Sequence, residues 1–115
     1  MLQVTNRTRG RRIVESGRVA NRFWTRLVGL MGVRELPPGD GLLLTPANSI
    51  HTHFMRIPID VLYVQPDGRV VDIDENLPPW RFGRIRTQAR MVIELPAGTV
   101  AARDIRIGDY LDIRY

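Results

Sequence analysis

Both histidines of this chain lie in one segment, Ser49-Ile50-His51-Thr52-His53-Phe54-Met55-Arg56-Ile57-Pro58-Ile59-Asp60. An imidazole titrates near neutral pH and can act as a general base, a hydrogen-bonding group or a metal ligand. Alternation predicts an extended segment over Ile50–Arg56, which would place His51, His53 and Met55 on one face and Ile50, Thr52 and Phe54 on the other. The second face is the more apolar and would meet the core. Same-face Cα atoms in a strand are about 6.5–7 Å apart. Two imidazoles at that spacing can converge on one ion, each at about 2.0–2.1 Å. With the Met55 thioether the pair leans towards copper; with a carboxylate such as Asp60 it suits zinc or iron. A His-x-His pair still needs further ligands, so a divalent metal on His51 and His53 stands behind a simpler expectation. In that expectation one histidine is hydrogen-bonded within the fold and the other lies at the surface.

Other chemistries are excluded or find little support. The chain has no cysteine, so thiolate metal sites, disulfides and cysteine nucleophiles are excluded. All 17 basic residues are arginine, which excludes a Schiff-base or phosphate-loop lysine. Ser49 and His51 would project in parallel from one strand face, and no G-x-S-x-G elbow is present. Asp60, Asp72, Asp74 and Glu75 could supply a carboxylate pair, but Asp72 and Asp74 share a strand face and read as a solvated hairpin edge. No nucleotide fingerprint or calcium loop occurs. Phe23, Trp24, Phe54 and Tyr63 are expected in the core. Trp80, flanked by prolines, is either a lid over a pocket or a loop anchor.

The net charge of +5 is uneven. Residues 1–34 carry eight arginines and one acid, residues 35–80 two arginines and seven acids, and residues 81–115 seven arginines and four acids. Scattered arginines without an RNA-binding aromatic motif argue against nucleic acid as the partner. The N-terminus has no apolar stretch of signal-peptide length and no segment could span a bilayer, so a cytoplasmic location without membrane contact is expected.

The elements that must position these residues follow from pattern and punctuation. A chain of 115 residues is one domain, 1–115. Ser16-Gly17 reads as a two-residue hairpin between Arg12–Glu15 and Arg18–Ala20. Asn21 would cap a helix over Arg22–Met31, with Phe23, Leu27, Leu30 and Met31 as its buried stripe, Gly29 inside it and Gly32 ending it. Leu42-Leu43-Leu44 reads as a strand close to the core. Ile59–Gln65 and Arg69–Asp74 form a hairpin around Pro66-Asp67-Gly68. Strands are expected at Ala89–Leu95 and Tyr110–Arg114, with a helical turn within Pro96–Asp104. The sum is a mainly β fold: a mostly antiparallel β domain or partly open barrel with one or two short helices.

Several segments together resemble the DUF192 (UPF0127) family. They are Arg26-Leu-Val-Gly29-Leu30-Met31, Gly41-Leu42-Leu43-Leu44, and Asn48-Ser49-Ile50-His51-Thr52 through Phe54-Met55-Arg56 to Pro58-Ile59-Asp60-Val61. Glu94-Leu95-Pro96-Ala97-Gly98 and Gly108-Asp109 complete the set. The matches run in order over nearly the whole chain. The resemblance implies a mainly β fold and no particular activity. Many family members carry an export signal or lipoprotein anchor, a pattern from which this chain departs. His51, Met55, Asp60 and Arg26 fall on motif positions, whereas His53 does not, which weakens the metal pair.

The expected function is a non-catalytic module binding a small anionic ligand or a protein partner. The expected polar site comprises Arg26, His51, Met55, Arg56 and Asp60, and needs no cofactor. Arginine can grip a carboxylate or phosphate through two parallel hydrogen bonds. The competing expectation is an enzyme using His51 as general base, or as metal ligand with His53.

Overall fold

A computed structural model describes the backbone of residues 1–115 and all side chains except those of Phe23 and Trp24. The core expectation for those two lies outside the described residues. Seven strands form one sheet: β1 (Leu2–Asn6), β2 (Arg11–Ala20), β3 (Leu42–Leu44), β4 (Ile59–Val64), β5 (Val70–Leu77), β6 (Met91–Pro96) and β7 (Leu111–Arg114). Two short helices accompany them, α1 (Phe23–Val28) and α2 (Thr99–Ala102). The strand order is β5-β4-β6-β3-β2-β1-β7, and the β2–β3 pair is parallel while the others are antiparallel.

The sheet curls into a half-barrel. Its two edge strands meet at one corner, where the Val70 N–H donates to the Asp109 carbonyl and the Leu111 N–H to the Gly68 carbonyl, both at 2.8 Å. Closing that corner removes part of an otherwise open edge. Gly68 permits it: its φ is +93°, and a Cβ there would strike the Leu111 carbonyl. The Pro66-Asp67-Gly68 hairpin expected from sequence is the turn between β4 and β5.

Two apolar clusters cover the two faces of the central strands. Leu43, Leu62, Ile93 and Leu95 point inside the curl, with Val100 of α2 and Leu111 of β7. Leu42, Leu44, Val61, Tyr63 and Val92 point to the outer face. That alternation explains why β3, β4 and β6 read as nearly continuous apolar runs. The outer face is covered by chain outside the strands, through Leu30, Leu36, Ile50, Met55 and Ala89. Among the described residues no helix is long and apolar enough to cross a membrane.

Three local expectations change. Ser16-Gly17 is not a turn: β2 runs unbroken through it, and the reversal lies at residues 7–10. Gly17 faces Leu2 across the pair, and a Cβ there would stand 2.7 Å from the Gly41 carbonyl oxygen. Close backbone approach, not turn geometry, demands that glycine. Second, the helix is shorter than Arg22–Met31. Its N-cap is Arg22, not Asn21, and the Thr25 hydroxyl accepts the Arg22 N–H at 3.0 Å. Gly29, with φ +49°, ends it, leaving Leu27 exposed and Leu30 buried beyond the end. Third, Ile50–Arg56 is not extended. A turn at His53-Phe54, closed by the Met55 N–H on the Thr52 carbonyl at 3.2 Å, inverts the alternation. Phe54 takes φ +63° and points to solvent, while Met55 goes into the outer core.

Candidate functional site

A cavity of about 400 Å³ opens on the outer face of the sheet. One wall is the end of α1 and the turn after it, from Arg26 to Met31. The opposite wall is the chain from Leu44 through His51, and Met55 and Phe82 complete the sides. The lining is largely apolar, as ligand cavities usually are, with a few polar groups placed along it.

The sequence itself builds these walls. Gly29 stops the helix just as it reaches the sheet, so the following turn folds over the strands and buries Leu30. Thr52 pins the other side. It is fully buried; its hydroxyl donates to the Pro78 carbonyl at 2.7 Å and accepts the Arg81 N–H at 2.7 Å. That clamp holds residues 78–82 against the histidine segment and sets Phe82 beside His51, with which it forms a β-bridge.

His51 is placed by both of its nitrogens. Nε2 lies 3.0 Å from the Leu27 carbonyl, and Nδ1 accepts the His53 backbone N–H at 3.2 Å. A carbonyl only accepts, so this pattern puts the proton on Nε2 of a neutral ring. Neither nitrogen then offers a free lone pair to a metal or a substrate proton. The His51 and His53 rings do lie close, with centroids 5.6 Å apart, but His53 packs on Phe82 at 4.4 Å and on Trp80 at 5.5 Å. Among the described residues no group of three His, Asp, Glu or Cys side chains is arranged to hold a metal ion.

Arg26 stands on the cavity wall in the last turn of α1. One guanidinium N–H donates to the Asn21 carbonyl at 3.1 Å. Arg26 has no carboxylate partner among the described residues, unlike Arg9, Arg86 and Arg106. Met55 is a buried part of the lining. Arg26, His51 and Met55 therefore line one cavity.

Arg56 and Asp60 do not join them. Arg56 is exposed and does not line the cavity. Asp60 is 1% exposed and braces the fold: Oδ1 accepts the Asn76 N–H at 2.8 Å and Oδ2 the Val100 N–H at 2.9 Å. Its partners are backbone amides at the end of β5 and in α2, not an arginine. Asp72 and Asp74 are not a solvated edge either. Arg86 binds both, through Nε to Asp72 at 2.9 Å and through its terminal nitrogen to Asp74 at 3.0 Å, and lies 3.8 Å above the Tyr63 ring. Burial pushes Asp72 up, but the Arg86 hydrogen bond and its charge outweigh this and hold the carboxyl below its usual range. Trp80 anchors its loop on Phe54, with centroids 4.7 Å apart, and does not line the cavity.

The residue that sequence reasoning did not single out is Glu94. It lies on β6 between Leu42 of β3 and Val61 of β4, on the face that carries Val92, and it forms the cavity floor. It is 2% exposed, and Oε2 has no hydrogen-bond partner among the described residues. Burial pushes its carboxyl up to about 8, so at neutral pH it is mainly the uncharged acid. The available signal was a single carboxylate inside the apolar run Met91-Val-Ile-Glu-Leu-Pro96, at a position whose alternation faces the core.

The fold is that of a mainly β, half-barrel protein with two short helices. The chain is a member of the DUF192 family (Uncharacterized ACR, COG1430), whose profile matches residues 4–113. It is 33% identical over 112 residues to a UPF0127 protein of Pyrococcus furiosus, covering 93% of this chain and 94% of the relative. A UPF0127 protein of Thermococcus sibiricus is 33% identical over 115 residues, covering 93% and 71%. Two solved structures share the fold. One, a protein of unknown function from Novosphingobium aromaticivorans, superposes with a TM-score of 0.84 at 25% identity, covering 96% of this chain and 82% of the other. The second, a proposed transcription regulator from Sinorhizobium meliloti, gives 0.82 at 26%, covering 96% and 90%.

Proposed function

We propose that this protein is a non-catalytic binding module for a small molecule with an apolar body and an anionic group. The body fills the cavity between the α1 turn and the His51 segment, and the anion meets Arg26. The observation that carries this reading is a cavity of about 400 Å³ with largely apolar walls and an arginine on its wall that has no carboxylate partner among the described residues. Apolar walls supply affinity through burial, and a guanidinium fixes orientation by pairing with a planar anion. His51 favours binding over catalysis in this scheme, because its hydrogen bonds make it a strut between the two cavity walls.

A thermal-shift and calorimetric screen of aryl and alkyl carboxylates tests the reading. Carboxylates should stabilise the wild-type protein. Arg26→Gln should weaken them about tenfold, about 1.4 kcal/mol, while neutral analogues bind unchanged. Ala47→Trp, which projects a large ring from the wall, should abolish binding of both. Carboxylate affinity that is indifferent to both substitutions would place binding elsewhere and overturn the proposal.

A further inference from the structure

We propose that the ligand of this cavity ends, on its buried side, in an uncharged oxygen acceptor (a ketone, ester or ether oxygen) received by Glu94 acting as hydrogen-bond donor. This rests on the reading of the cavity as a small-molecule site, and it assigns the chemical class of the molecule's inner half.

Glu94 asks for an explanation that the fold does not supply. A carboxyl placed between Leu42 and Val61 does nothing for sheet pairing, and a lone buried polar atom destabilises the fold. The other buried carboxylates of this chain are satisfied: Asp60 by two backbone amides, Asp109 by Asn6, Arg9 and the Arg106 N–H. Glu94 alone on the cavity floor leaves an oxygen unpartnered among the described residues. The covering chain also leaves room for it. Gly29 passes over the carboxyl, and the position of a Cβ there is 3.6 Å from Oε1.

The state of the acid selects the partner. Burial alone holds the proton on Glu94 to about pH 8. An uncharged carboxyl offers one strong O–H donor, and an acceptor that gains no charge is its natural complement. An ammonium group would need Glu94 ionised in apolar surroundings and would share the cavity with Arg26. The titratable side chains lining this cavity, among the described residues, are Arg26, His51 and Glu94; the residues paired with Glu94 on the flanking strands are Leu42 and Val61, and Tyr63 is the titratable residue of β4 on the same face.

Three para-substituted benzoates, the first two isosteric, separate the possibilities: 4-acetylbenzoate, 4-isopropylbenzoate and 4-(aminomethyl)benzoate. Each carries the carboxylate for Arg26 and differs only at the inner end. By calorimetry near neutral pH, 4-acetylbenzoate should bind about tenfold tighter than 4-isopropylbenzoate, and the amine should bind weakest. Its affinity should fall about tenfold from pH 7 to pH 9 as the donor proton is lost. Glu94→Gln retains an N–H donor, so it should keep the preference for the acetyl probe and abolish the pH dependence. Glu94→Leu should erase the preference. Equal binding of the acetyl and isopropyl probes, tightest binding of the amine, or a pH dependence that survives in Glu94→Gln would overturn the inference and leave the cavity reading intact. Failure of all three probes to bind would overturn the cavity reading itself.

Discussion

Replacing Glu94 by glutamine should make the stability of this protein far less sensitive to alkaline pH. The folded carboxyl holds its proton to about 8, whereas an unfolded glutamic acid gives it up at 4.5. Below 4.5 both states are protonated and glutamate behaves like glutamine. Above it the folded state binds a proton that the unfolded state has released, so stability falls as pH rises, by about 1.4 kcal/mol per pH unit. The loss accumulates to about 5 kcal/mol by pH 8 and then levels off. Total stability of a small domain is about 5–15 kcal/mol, so the wild-type protein should be marginal in mild alkali. Asp72 and Asp109 act in the opposite sense. Their lowered values give stability that is complete above their usual 3.8 and is lost as pH falls through the folded value. Both are present in both proteins and cancel in the difference. Urea unfolding of wild type and Glu94→Gln, from about pH 4 to pH 9, measures the effect directly. The advantage of the variant should be near zero at the acid end and several kcal/mol at the alkaline end. A difference flat to within about 0.5 kcal/mol over that range would show that water or a protein group satisfies the ionised carboxyl, and the account of the cavity floor would fail.

Asp60→Asn should cost about 2–4 kcal/mol, because its amide nitrogen must face one of the two backbone N–H groups now bound; probe binding in the cavity of the folded fraction should be unchanged. An undisturbed melting temperature would remove Asp60 as the brace. Gly17→Ala should destabilise by about 1–3 kcal/mol, since its Cβ would stand 2.7 Å from the Gly41 carbonyl oxygen. An unchanged melting temperature would contradict the close approach of Gly41 to β2. Arg86→Lys should lower stability by about 1–3 kcal/mol, because an ammonium cannot span Asp72 and Asp74 while stacking on Tyr63. The Asp72 carboxyl should then titrate closer to its usual 3.8 by NMR, and an unmoved Asp72 titration would count against the pairing.

Legibility followed the range of the forces involved. The β4–β5 hairpin was readable because Gly68 and its neighbours fix a local turn, and the Leu42–Leu44 strand because burial on both faces leaves an unbroken apolar run. The His51 segment alternates like a strand but turns at His53-Phe54. Ile50 and Thr52 are buried as the alternation expects, with Thr52 also tying down residues 78–82, but the turn at Phe54 exposes Phe54 and buries Met55 in its place. Glu94 is hidden in the sequence for a related reason. A lone acid in a strand acquires meaning only when the strands on either side prove apolar and the chain above it ends at a glycine. Arg26 and His51 were readable as residue types, while Arg56 and Asp60 adjoin the same motif but fold to other places.

The linear chain already carries the mainly β character, the absence of cysteine and lysine, the family motifs and the crowding of reactive side chains around His51. Those features depend on composition, period and local turn chemistry. Which of those side chains share a cavity depends on long-range packing. The parallel β2–β3 contact, the corner joining β5 to β7 and the lodging of Glu94 beneath Gly29 all join residues distant in sequence. Their stability comes from burial between elements, which no single segment encodes.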